Sequence, residues 1–188
     1  MTRPALQICY HDHCFDGVAS AATFLRFYRE RVDPGLQADA VAFKGLAHKA
    51  GALFDESVFA GAANAIVDFR FNKDPRLTWW FDHHQSAFET PADEAAFRAD
   101  TSGRKHWDPK ALSNTKFLAR VAEEKFAFDQ APLRELIDWA EVIDGAKFPD
   151  ARTAVELTEP AMQLMLLIEA SKDPLLCPRL IRALADRP

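Results

Sequence analysis

The 188-residue chain has only 7 glycines and 3 cysteines, no apolar run long enough to span a bilayer, and no excess of positive charge. Each shortage excludes something. Cys9, Cys14 and Cys177 show no paired spacing, which argues against a disulfide framework and agrees with a reducing compartment. The amino terminus lacks the basic-then-apolar pattern of a signal peptide, so the expected location is the cytoplasm, with no membrane as partner. With 23 basic against 28 acidic residues, a net charge of −5, the concentrated basic face that long duplex nucleic acid requires is missing. At 48% hydrophobic residues, a chain of this length can still bury one sizeable core.

Strands and helices alternate along the first half. Leu6 to Tyr10, Ala38 to Phe43, Ala65 to Asp68 and Leu77 to Phe81 read as strands. Val18 to Arg31 reads as an amphipathic helix stopped by Asp33-Pro34-Gly35, and a second helix is expected near Leu46 to Phe54. This alternation predicts an α/β fold, a mainly parallel sheet with helices on both faces. Ser86 to Pro109 is polar and weakly periodic, a surface excursion with a short helix around Asp93 to Arg98. The carboxyl-terminal portion turns helical: Thr115 to Lys125, Leu133 to Ile143, Glu159 to Ser171 and Leu175 to Ala185, with Ser113 and Asn114 as N-cap candidates and Pro132 near a helix start. Met162, Leu164, Met165, Leu166 and Leu167 form an apolar cluster that packs in the core or against a further domain.

Polar groups gather where apolar runs end. Leu77-Thr-Trp-Trp-Phe-Asp-His-His-Gln85 closes an aromatic strand with Asp82, His83 and His84; Leu6 to Tyr10 runs into His11, Asp12, His13, Cys14 and Asp16; Ala65-Ile-Val-Asp68 ends on one carboxylate; and the apolar stretch from Leu136 closes on Asp144. Open α/β sheets place their sites at strand carboxyl ends, and carboxylates with imidazoles are divalent-metal ligands. Arg70, two residues past Asp68, reads either as a guanidinium within reach of a phosphate or as a solvated charge. His48, His106, Trp107 and Trp139 read as structural or surface residues.

From Leu6 to Asp144 these motifs, in this order, resemble the DHH phosphoesterase family, named for its Asp-His-His tripeptide. The resemblance implies two divalent ions, manganese first, with Mg2+, Zn2+ or Fe2+ as alternatives. The implied ligands are His11, Asp16, Asp68 as the bridge, His83 and Asp144. His84 would face the substrate phosphate and Asp82 would support the neighbouring histidine. The implied activity is hydrolysis of a phosphodiester or phosphoanhydride, in a small nucleotide or short oligonucleotide, by a hydroxide generated between the metals. Two other readings share the same residues: an inorganic pyrophosphatase, and a non-hydrolytic nucleotide-binding module with an altered metal site.

One position departs from the family pattern. Two residues before Asp16, where an Asp is common, stands Cys14; Asp12 is an alternative acid for that role. A thiolate ligand would favour zinc or ferrous iron, whereas a Cys14 that only packs beneath the loop would leave the site's metal unchanged. The family usually continues into a smaller domain with a Gly-rich substrate motif, which this sequence does not contain. The expected organisation is a metal-binding catalytic domain over residues 1 to 150 and a helical extension or linker over 151 to 188.

Overall fold

The computed structural model describes residues 3–48 and 54–187. Its centre is a five-stranded, all-parallel sheet built from β1 (Leu6–His11), β2 (Val41–Leu46), β3 (Ala63–Val67), β4 (Trp79–Asp82) and β5 (Lys105–Trp107), in the order β2-β1-β3-β4-β5. The α/β expectation is met, and the chain after residue 113 is helical as read.

The helices are unequally shared between the two faces. The strands' alternation sends Leu6, Ile8, Tyr10, Ala65, Val67, Trp79 and Phe81 to one side, where α1 (Phe15–Arg31), α3 (Asn114–Phe126) and α4 (Arg134–Asp144) cover them. The opposite set, Cys9, Ile66 and Trp80, packs, among the described residues, under a 3-10 turn at Glu56–Phe59 and the short α2 (Pro91–Arg98). Trp80 is fully buried there, and its indole N–H donates to the Phe69 carbonyl at 2.9 Å. Side chains of this size contribute about 1.5–3 kcal/mol each when wholly buried. The chain steps outward from β1 to β2 and then back past β1 to β3, and this reversal puts the two crossovers on opposite faces.

The helices α5 (Ala151–Glu156), α6 (Pro160–Ala170) and α7 (Leu176–Ala185) follow residue 150. Ile168, Cys177, Ile181 and Ala185 are buried in the core that also holds Phe24 and Leu25 of α1, so the last helices share the core of the sheet domain. The Met162 to Leu167 cluster is divided: Met162 is buried, whereas Leu166 and Leu167 are 41% and 49% exposed.

Several boundaries differ from the sequence reading, each for a tertiary reason. Helix α1 begins at Phe15 and not Val18, because the Asp16 carboxylate is held from another helix. Residues Ala38–Ala40 form a 3-10 turn and β2 starts at Val41, so Leu46, read as the first residue of a helix, ends a strand. Residues 49 to 53 of that expected helix lie outside the described residues. β5 lies inside the segment read as a surface excursion; it is three half-buried residues on the sheet edge, too short for periodicity to reveal.

Candidate metal centre

The strand order puts its reversal between β1 and β3, where parallel sheets open a crevice at their carboxyl ends. His11 closes β1, Asp68 follows β3, and Asp82-His83-His84 closes β4. Three neighbouring strand ends therefore deliver their polar groups to one place.

Local geometry aims each group. The Asp68 backbone takes a left-handed conformation, φ 56°, while its N–H still donates to the Phe81 carbonyl at 2.9 Å. The turn rotates the carboxylate away from the strand's alternation at a cost of about 1 kcal/mol, tolerable for Asp. Helix α1 crosses the end of β1 so closely that a β-carbon on Gly17 would sit 2.1 Å from the His11 carbonyl oxygen, and this approach sets Asp16 beside His11's strand. Asp16 is itself held from α3: its two carboxylate oxygens accept the N–H groups of Asn114 at 2.6 Å and Thr115 at 3.1 Å. Ser113 caps the same helix by accepting from Lys116 N–H at 3.2 Å, as its sequence position suggested.

The side chains converge around Asp68. One of its oxygens, Oδ2, lies 3.6 Å from His11 Nδ1, and the other, Oδ1, lies 3.5 Å from His83 Nε2 and 3.8 Å from His84 Nδ1. His83 Nε2 is also 3.4 Å from Asp144 Oδ2 and 3.8 Å from Asp16 Oδ2. Three overlapping groups of donors result, His11 with Cys14 and Asp68, Asp68 with His83 and His84, and Asp16 with His83 and Asp144, each with its atoms within 4.8 Å of one another. Of the residues expected at the site, His11, Cys14, Asp16, Asp68, His83, His84 and Asp144 are brought together.

Asp12 is not. Its carboxylate accepts its neighbour His13's N–H at 3.0 Å and fills the space where a β-carbon on Gly45 would sit, away from the donor groups. Cys14, at the N-cap of α1, occupies the position beside His11 instead. Asp82 also differs from expectation: it is fully buried and pairs with His84 Nδ1 at 2.7 Å rather than with His83. The same oxygen accepts the backbone N–H groups of His83 and His84 at 2.8 and 3.2 Å, so Asp82 positions the turn. The Ala111 carbonyl holds His83 Nδ1, at 3.0 Å. The Arg70 side chain is half-buried, and its Nε is buried without a hydrogen-bond partner among the described residues.

The electrostatics are those of a site short of positive charge. Burial, then the charges of Asp68 and Asp144, push the Asp16 carboxyl well above the usual carboxylate range, and burial followed by Asp68 does the same to Asp144. Burial opposes a charged His83, yet Asp68, Asp16 and the Ala111 carbonyl outweigh it and raise the imidazole to about 10. Burial, reinforced by Asp68 and Asp16, pushes the Cys14 thiol up.

The donor set fits divalent metal. His11 Nδ1, both oxygens of Asp68 and His83 Nε2 are buried and lack hydrogen-bond partners among the described residues, although buried polar atoms are nearly always paired. These unpaired atoms face one another, and His83 has its other nitrogen fixed by a carbonyl, the arrangement that orients a metal-bound imidazole.

One residue that the sequence marks as structural or surface stands at the site. His48, two positions beyond β2, stacks on Phe69 with ring centres 4.6 Å apart and stands 5.0 Å from the His11 ring and 6.5 Å from that of His84. It obeys the strand-end rule that found the others; placing β2 three residues early hides it inside a supposed helix. No helix among the described residues is long and apolar enough to cross a membrane, and no protein-family model, curated protein or solved structure matches the chain.

Proposed function

We propose that the chain is a metal-dependent phosphoesterase of the DHH type, hydrolysing a phosphodiester or phosphoanhydride of a small nucleotide or short oligonucleotide in the cytoplasm. The observation that carries the reading is Asp68, whose two unpaired oxygens face two separate groups of donors. That is what a carboxylate shared between two ions requires.

His11, Cys14 and Asp68 Oδ2 would hold one ion, and Asp68 Oδ1, His83, Asp16 and Asp144 the other. Bound there, two divalent ions would supply positive charge to the phosphoryl oxygens and acidify a water. The chain's own residues do the rest. Asp82 pins Nδ1 of His84, leaving Nε2 to meet the substrate, and the same contact favours the charged form of the ring. Trp107 braces this turn by donating its indole N–H to the His84 carbonyl at 2.9 Å. Arg70 supplies a guanidinium for a non-bridging phosphate oxygen.

Cys14 favours a second reading. A thiol suits manganese poorly where the family pattern has a carboxylate, and a poorly filled first site would leave a non-hydrolytic nucleotide-binding module. Elemental analysis after manganese loading, followed by assay on short oligonucleotides, nucleotides, nitrophenyl phosphate esters and pyrophosphate, tests both. Two ions with turnover of an organic phosphate support the phosphoesterase; turnover of pyrophosphate alone makes it a pyrophosphatase; one ion without turnover leaves the binding module.

A further inference from the structure

Three imidazoles gather at the centre: the rings of His11, His48 and His84 lie 5.0 to 6.5 Å from one another. His48 is held without any hydrogen bond among the described residues: its ring lies over Phe69 at an interplanar angle of 26°, and Phe54 meets Phe69 edge-on at 6.0 Å. Although exposed, the imidazole is thus fixed in direction by packing. The ring meets His11 at 76° and His84 at 73°. The carboxylates that pair with its neighbours, Asp68 with His11 and Asp82 with His84, are buried, so the exposed His48 ring has its N–H open to an acceptor that comes from solution.

We propose that His48 is a phosphate-contacting residue: propped on Phe69 beside His11 and His84, its imidazole donates an N–H to a non-bridging oxygen of the phosphoryl group. The assignment rests on the phosphoesterase reading for the identity of that anion, and it deepens it. The substrate phosphate would be held on its outer side by His48, His84 and Arg70, donors from the ends of three different strands.

The test is calorimetric titration of inorganic phosphate into the manganese-loaded chain, with metal content measured alongside. His48→Phe keeps the stack on Phe69 and removes the donor; His48→Gln keeps an N–H at similar reach. The Phe variant is expected to bind phosphate about tenfold more weakly, the loss of one charge-assisted hydrogen bond, with unchanged metal content, and the Gln variant to recover part of the affinity. Unaltered affinity in His48→Phe overturns the proposal. So does loss of metal together with phosphate, a Gln variant no better than Phe, or a parent chain that binds no phosphate. Weakened phosphate binding in a chain that hydrolyses no ester would retain His48 and remove the hydrolytic reading, and an active hydrolase with unaltered phosphate affinity would do the reverse.

Discussion

Asp68 stands between His11 and His83, giving one carboxylate oxygen to each, at 3.6 and 3.5 Å. This relationship ties the end of β1 to the end of β4 through a residue that belongs to neither, and it makes the two halves of the centre interdependent.

Replacing Asp68 with Asn keeps the shape and tolerates the left-handed backbone, but removes the shared charge. Both ions are then expected to be lost together, each having lost a ligand, while the circular dichroism of the fold is retained. Elemental analysis showing one full-occupancy ion and one empty site would make Asp68 an ordinary ligand.

His84 is expected to act on the substrate through Nε2. His84→Asn should lower turnover by about a hundredfold or more, as loss of one charge-stabilising donor does, with metal content close to the parent's. Steady-state kinetics on the best substrate of the panel, paired with metal analysis, gives the answer; full activity would remove the assigned role.

Cys14 lies with His11 and Asp68, whereas Asp12 does not. Cys14→Asp should bind manganese more tightly, by on the order of tenfold, because a hard carboxylate suits that ion better than a thiol. Titration of manganese into both forms decides: equal affinity means the thiol only packs beneath the loop.

His106 offers a pH test away from the proposed metal centre. It packs against Phe81 with ring centres 5.1 Å apart, and burial, with Lys125 nearby, lowers its pKa from 6.5 to about 4. The folded ring charges only near pH 4, while the unfolded one charges near 6.5. Its contribution to stability is therefore whole above pH 6.5 and is lost as pH falls toward 4. Urea melts of His106→Gln across this window should show a shallower decline than the parent; parallel declines would mean that the imidazole is not kept neutral by the fold.

The sequence discloses the centre where chemistry follows local pattern. An apolar run that stops at a charged or imidazole group marks a strand end, and His11, Asp68 and His83 all meet that description. What stays hidden depends on contacts far along the chain. The partner of Asp82 is chosen by the turn after β4, and His83 is free to turn from it only because Ala111, 28 residues on, offers a carbonyl. The start of α1 is set by Asn114 and Thr115, nearly a hundred residues from Asp16. The position of His48 depends on Phe69, a packing partner that no spacing rule identifies. β5 is missed because three half-buried edge residues carry no alternation to read.

The left-handed backbone of Asp68 carries an evolutionary consequence. At that position glycine would relax the dihedral strain and also delete two buried oxygens that the protein itself leaves unpaired. In a metal-free chain those two costs are set against the pull of the His11, His83 and His84 imidazoles on the carboxylate, so thermal robustness alone gives weak selection for an aspartate there. Persistence of the aspartate in descendants of this chain would consequently record selection for what the carboxylate binds.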